Sequence, residues 1–325
     1  MHIRALVLLI VAWLALLPAT RAADATVQVA ELTPDVEQAI EKGLEWLVRT
    51  QAADGSWGTD YKTASTAFGL MAFMVKGHFT EKPPYGDTLS KAVTFLLSTA
   101  NDGYMGKSMY EHGAATLALS EVWGMSSREE IPDALKRAVN VILRSQSPAG
   151  GWRYNPMPTD ADLSVTVMQI VALASAKEAG ILVPDATLQK AIAYVLSCQH
   201  QASGGFGYQP AGEPGFERSA AGVMSLMMCG QRESPAVKAG LAYLLKQPGA
   251  VFSDSAQYYY GHYYAVQGMY QAGDVYYQEW YPRIRDAMLK KQGPEGNWPD
   301  AQGIGTPMAI LVLGVPYRFL PIYQR

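Results

Sequence analysis

The sequence predicts an all-α fold, an (α/α)6 toroid of six helix-pair repeats. Three observations carry it. One unit recurs six times, amphipathic helices alternate with apolar ones, and no strand pattern of any length competes. The unit is an amphipathic helix, a Gly-aromatic turn, and a second helix rich in small and apolar residues. Equivalent positions fall at 51, 100, 146, 199, 247 and 292, a spacing of 45 to 53 residues. The turn reads Gln51 with Gly55 and Trp57, Gln146 with Gly150, Gly151 and Trp152, Gln199 with Gly204, Gly205 and Phe206, and Gln292 with Gly296 and Trp298. The copy near Ala100 keeps Gly103 without the Gln, and the copy near Gln247 loses the Gly-Trp.

The first helix is entered through Thr33, an N-cap residue, and Pro34. Ile40, Leu44, Leu47 and Val48 then follow helical spacing. Its counterparts are expected near 89–97, 131–144, 186–198, 235–246 and 281–290. Each carries charge on one side and is expected to face solvent. The second-type helices are expected near 63–76, 110–123, 161–178, 216–228, 256–271 and 305–313. Runs such as Gly113 to Leu119 are apolar nearly all round, the composition of a helix enclosed by protein. An inner ring of these within an outer ring of the first type closes the structure. An open solenoid is the alternative, but neither end has the polar capping repeat that an open array needs. The Gly of each turn supplies a positive φ, and Trp57, Trp152, Phe206 and Trp298 are expected to pack under their helix pairs.

Residues 1–22 read as a secretory signal. His2 and Arg4 precede an apolar run of 13 residues from Ala5 to Leu17, and small residues follow, with cleavage expected after Ala22. The run is short for a membrane span, which needs about 20 apolar residues. The processed chain, 23–325, is expected to be one toroid domain, secreted or periplasmic, with no stable membrane span. An uncleaved anchor is the alternative. Losing Arg4 and Arg21 takes the net charge from −3 to −5. No basic block is present, so nucleic acid is not an expected partner. Cys198 and Cys229 fall at opposite ends of a helix pair, about 18 Å apart at 1.5 Å per residue. A disulfide needs Cα atoms within about 7 Å, so two free, buried thiols are expected. No phosphate-binding loop, zinc-protease motif or cysteine cluster is present, and neither cofactor nor metal is expected.

In a toroid the inner helices all start at one end, so their first turns converge on one mouth, with their positive dipole ends. The candidates there are Ser65 and Thr66, then Tyr110, Glu111 and His112, then Asp160, Asp162 and Ser164. Glu217 and Arg218, the run Tyr258 to Tyr264 with His262, and Thr306 complete the ring. Asp160 and Asp162 could share a proton, which raises one pKa and makes a general acid. Either could instead cap the third inner helix, with Asp160 the expected cap. His112 and His262 are core histidines or a matched pair at the cavity. The tyrosines can line a wall and stabilise a cation or stack on a sugar, or simply pack.

The repeat resembles that of the prenyltransferase and squalene-cyclase superfamily. Its signature is a basic residue, a small one, an aromatic-aliphatic pair, Gln, then Gly-x-Trp. Lys42-Gly43, Trp46-Leu47, Gln51, Gly55 and Trp57 match it throughout. Lys190-Ala191, Tyr194-Val195, Gln199, Gly204 and Phe206 match it with one extra residue and Phe for Trp. Within it the chain looks most like exported bacterial single-toroid proteins, on Gly151 to Tyr154, Asp162 to Thr166, and the tail from Pro316 to Arg325. The Asp-x-Asp-Asp acid of squalene-hopene cyclases is matched at its first and central carboxylates by Asp160 and Asp162, with Leu163 in place of the third. The resemblance therefore implies Asp162 as proton donor. The Asp-x-Cys zinc pair of protein prenyltransferases and the thioester motif of complement-type domains are both absent.

The expected function is an exported isoprenoid-handling protein, a cyclase-like enzyme or a binder of a hydrophobic small molecule. In the enzyme, Asp162 protonates an alkene with Asp160 or His112 holding its proton. Tyr110, Glu217, Arg218, Tyr259, His262 and Tyr263 form the pocket. The alternatives are a repeat scaffold for a protein partner and a carbohydrate-active enzyme using carboxylates such as Asp162 and Glu217.

Overall fold

Twelve α-helices, paired in sequence, dominate the computed structural model, which describes residues 32–157, 159–247 and 257–324. The expected signal 1–22 and its cleavage point lie outside the described residues, as does Ala256, the expected start of the fifth inner helix. The helices are α1 Pro34–Thr50, α2 Lys62–Met74, α3 Gly86–Ser98, α4 Met109–Trp123, α5 Glu130–Arg144 and α6 Leu163–Glu178. They continue with α7 Asp185–Ser197, α8 Phe216–Met228, α9 Pro235–Leu245, α10 Tyr258–Ala272, α11 Asp274–Lys291 and α12 Gly305–Gly314. Among the described residues there is no β-strand. No described helix is long and apolar enough to cross a membrane.

Odd-numbered helices are amphipathic, as predicted. In α5 the buried side is Ile131, Ala134, Leu135, Ala138, Val139, Val141 and Ile142, all at helical spacing. In α1, Thr33 Oγ1 accepts from Val36 N–H at 3.4 Å, with Pro34 in the first turn. Even-numbered helices are buried nearly all round; every residue of α2 from Thr63 to Met74 is inside.

The ring is closed. Each inner helix packs on the next, α2 on α4, α6, α8, α10 and α12 in turn, and α12 returns to both α2 and α1. The open solenoid is thereby excluded. Below the mouth the axis is filled. The Tyr264 hydroxyl of α10 reaches Met168 Sδ of α6 at 3.6 Å, and Tyr263 meets Phe68 of α2 edge-on at 5.4 Å. Neither pair belongs to neighbouring inner helices, so these contacts cross the centre. At the far end the chain's tail turns inward. Glu121 Oε2 accepts from Ile322 N–H at 3.5 Å, Gln271 Nε2 donates to Gln324 O at 3.2 Å, and Tyr323 is buried.

The repeated turn is one device used four times. Gln51 Nε2 donates to Gly55 O at 3.0 Å and to Thr88 O of the next outer helix at 2.9 Å. Gln146, Gln199 and Gln292 do the same to Gly150 and Thr187, Gly204 and Ala236, and Gly296 and Ala39. The last of these ties the sixth repeat to the first. The indoles of Trp57, Trp152 and Trp298 donate to Leu47, Ile142 and Met288 carbonyls at the end of their own outer helices. Their backbone N–H groups donate to Thr66, Thr166 and Thr306, and Phe206 N–H donates to Ser219. Thr66 and Thr306 thus hold the turns and do not face the mouth as ligand-binding groups.

Two helix starts differ from expectation, and so does the burial of one cysteine. Helix α6 starts at Leu163, because Ala161 and Asp162 continue the extended turn and Asp162 N–H donates to Trp152 O. Helix α11 begins at Asp274, seven residues early, and runs through Pro282. The buried Tyr277, Trp280, Tyr281 and Ile284 hold it to the core across the missing N–H. Both cysteines are free, but only Cys198 is buried; Cys229 is half-exposed at the end of α8.

Candidate ligand-binding mouth

At the N-terminal ends of the inner helices lies a cavity of about 600 Å³. Its wall carries Tyr61, Tyr110, Tyr154, Tyr208 and Tyr260, one from each of five repeats. Polar groups sit between them, among them Ser164, Glu217, Arg218, Gln257 and Gln302. Tyr61 stands at the N-cap of α2, and Tyr110 and Tyr260 stand in the first turns of α4 and α10. Tyr154 and Tyr208 come from the turns, each two residues after the buried aromatic. Backbone bonds fix both turns against helix starts. Met109 N–H donates to Tyr154 O at 2.7 Å, and Leu163 N–H donates to Tyr208 O at 2.9 Å. The two phenols meet at 3.2 Å, and the Arg153 guanidinium lies about 6 Å from both rings, at 6.0 and 5.9 Å.

Asp160 and Asp162 do not form a proton-sharing pair, because Arg153 stands between them. Its Nη1 is 3.1 Å from Asp160 Oδ2 and its Nε is 3.4 Å from Asp162 Oδ2. Asp160 is exposed and is not the helix cap. That role belongs to Asp162, whose Oδ1 accepts from Val165 N–H at 2.9 Å. Burial raises the pKa of Asp162, while the Val165 N–H, the Tyr208 hydroxyl and Arg153 pull it down. Its carboxylate is fully enclosed and is not among the groups that line the cavity.

His112 also lies away from the mouth. It is buried, its Nδ1 accepts from Met105 N–H at 3.1 Å, and its Nε2 is 3.0 Å from Ala138 O. These partners select the neutral tautomer with the proton on Nε2, and burial pushes its pKa down to about 4. In the repeat that lacks both Gln and Trp, His112 joins the turn to the next outer helix. His262 lies among rings instead, 5.0 Å from Phe216, 4.7 Å from Tyr258 and 5.9 Å from Trp280. Tyr263 is part of the filled axis. Tyr259 packs beside Tyr258 and contributes nothing to the cavity wall.

Of the nine predicted site residues, the structure brings Tyr110, Glu217 and Arg218 to the cavity. Tyr61, Tyr154 and Tyr208 were not predicted, and Tyr260 was expected only as one of the run Tyr258 to Tyr264. For two of these the signal exists: Trp152-x-Tyr154 and Phe206-x-Tyr208 place a second aromatic at the same register of two turns.

No protein-family model matches the chain. Mouse lanosterol synthase is 30% identical over 133 residues, which is 36% of this chain and 18% of that enzyme. Human lanosterol synthase is 31% identical over the same length and shares. The match thus spans under a fifth of the length of these curated relatives. A type II terpene cyclase from Scytonema, in complex with merosterolic acid A, superposes with a TM-score of 0.64 at 14% identity. That superposition covers 88% of this chain and 98% of the cyclase. The chain thus shares a stretch of sequence similarity with lanosterol synthases and its fold with type II terpene cyclases. An alpha-1,6-mannanase variant of Salegentibacter sp., in complex with alpha-1,6-mannotriose, also gives a TM-score of 0.64. At 9% identity over 87% of this chain and 99% of that one, it shares the fold alone. Squalene-cyclase-like toroids are thus one use of this ring, and the contents of the mouth distinguish one use from another.

Proposed function

We propose that this toroid is exported and binds an isoprenoid, or a comparable apolar chain, in its tyrosine-walled mouth without converting it. The observation that carries this reading is the cavity itself. Five tyrosines with Ala64 and Ile304 line about 600 Å³, within the range of small-molecule sites, and the charged groups on the wall are Glu217 and Arg218 alone among the described residues. Such walls favour an elongated apolar body with a polar end. The terpene cyclase neighbours hold geranylgeranyl dihydroxybenzoate and merosterolic acid A, which supports a ligand of this kind.

Cyclisation needs an acid aimed at the bound alkene. Asp162 instead spends one oxygen on the α6 cap and turns the other to Arg153. Sugar hydrolysis needs two carboxyl groups flanking the scissile bond, about 5 to 9.5 Å apart. Among the described residues Glu217 is the one carboxylate on the cavity wall. Binding is therefore the favoured reading over either reaction.

Solvent extraction of purified protein followed by mass spectrometry tests it, with Asp162→Asn alongside. Asn keeps the cap but cannot act as an acid. The same isoprenoid, near one per chain, is expected from both proteins. A different compound in the variant would mean catalysis at Asp162, and an empty extract from both would count against the binding reading.

A further inference from the structure

Resting on the binding reading, the geometry points to a ligand that ends in a carboxylate, which Arg218 and the hydroxyls of Tyr110 and Tyr260 receive. Arg218 lies in the first turn of α8 and lines the cavity. It makes no ion pair among the described residues, and its Nε is buried without a hydrogen-bond partner. A buried charged donor in that state is costly unless something else fills the place. The guanidinium lies against Gly215, where a Cβ would collide with its Nη2. The space that holds it is therefore made by the absence of a side chain.

Two more donors share the cavity wall. The hydroxyls of Tyr110 and Tyr260 are buried with no partner of normal hydrogen-bond geometry, and their rings lie 6.3 Å apart. Burial raises the pKa of both phenols, so both keep their protons and remain donors. Inner helices α4, α6 and α8 also begin at this mouth, each turning its positive end toward it. One guanidinium, two phenol donors and three helix starts favour an anion.

Glu217 limits the charge of that anion. It is on the same wall, with its Cγ packed where a Cβ of Gly261 would be, 2.8 Å away. A carboxylate beside Arg218 offsets part of its field, and a doubly charged head would meet repulsion that a single charge does not. A monoanion therefore fits better than a phosphate dianion, and a planar carboxylate matches the guanidinium fork.

Calorimetric titration with geranylgeraniol, geranylgeranoic acid and geranylgeranyl monophosphate separates the possibilities. The acid is expected to bind at least about tenfold more tightly than the alcohol, the scale of one charge-assisted hydrogen bond. The monophosphate is expected to bind more weakly than the acid. Arg218→Gln is expected to erase the preference while the alcohol still binds, and Arg218→Lys to keep part of it. Unchanged melting temperatures would show that both variants fold. Equal affinity for alcohol and acid, or a preference that survives Arg218→Gln, overturns the head-group assignment and leaves the binding reading standing. Tighter binding of the monophosphate overturns the choice of a carboxylate. Failure of all three to bind overturns both readings.

Discussion

At the scale of single residues, His112 shows how a polar side chain in an apolar helix can serve the fold alone. Both ring nitrogens are occupied by backbone groups of other segments, at 3.1 and 3.0 Å. His112→Leu would leave the Met105 N–H buried and unpaired and would remove the ring's bond to the Ala138 carbonyl, which keeps its helical partner. At about 1 to 3 kcal/mol for the orphaned donor and about 1 kcal/mol for the second bond, a loss of about 2 to 4 kcal/mol is expected in urea unfolding. A smaller loss than about 1 kcal/mol would mean that the ring is not the joint described. Nothing in the sequence distinguished this histidine from a site residue. Its partners are backbone atoms seven and 26 positions away, and backbone atoms leave no compositional trace. Asp162 is legible in the sequence as either cap or acid, but the role of Arg153, which decides between them, depends on the fold of the turn that carries it. The tyrosines were harder. Their chemistry is visible in the sequence, but which face of a helix start points into the mouth depends on the exact first residue of that helix.

At the scale of the element, the Gly-aromatic turn was the most legible feature of the chain, because its demands are local. Gly150 has a φ of +98°, and a Cβ there would strike the Lys190 carbonyl of the next outer helix. Gly150→Ala is therefore expected to cost several kcal/mol, from left-handed strain and from prising two repeats apart. The same change at Gly180, whose φ is +88° but which has open space around it, should cost only about 1 kcal/mol. Similar costs at both positions, read from denaturation midpoints, would remove packing from the explanation. Helix existence was equally legible, since amphipathic and apolar periods differ plainly. Helix starts were less so: α6 and α11 moved because a bridge to Trp152 and an inward aromatic face outweighed local signals.

At the scale of the whole molecule, two of the buried titratable groups, His112 and Glu121, act on stability in opposite senses. For His112 the folded pKa of about 4 lies below the usual 6.5. Between these values the unfolded chain binds more protons, so this contribution is lost as pH falls from about 6.5 to 4. Glu121, which holds the tail through Ile322, is raised by burial from 4.5 to about 7. Between those values the folded chain binds more protons, so this contribution is lost as pH rises from 4.5 to 7. Each is at most about 3 kcal/mol, and the two largely offset between pH 4.5 and 6.5. Glu121→Gln should therefore expose a stability that rises with pH across that window, and His112→Leu one that falls. A wild-type slope that neither variant changes would contradict this pairing. Ring closure has its own test. Gln292→Ala cuts the bond to Ala39 that joins the ends of the ring and the bond to Gly296 that holds its own turn. About 1 to 2 kcal/mol of destabilisation is expected from the two lost, half-buried bonds.

Occupancy of the tyrosine mouth decides what the ring does. The most direct measurement is calorimetric titration of the intact protein with geranylgeranoic acid, beside Ser164→Phe, which fills the cavity from the first turn of α6. Saturable binding of one molecule per chain, abolished in the filled variant while its melting temperature holds, is the predicted result. Binding that persists in the filled variant would place the ligand elsewhere, and no binding to the native protein would contradict the assignment of the mouth.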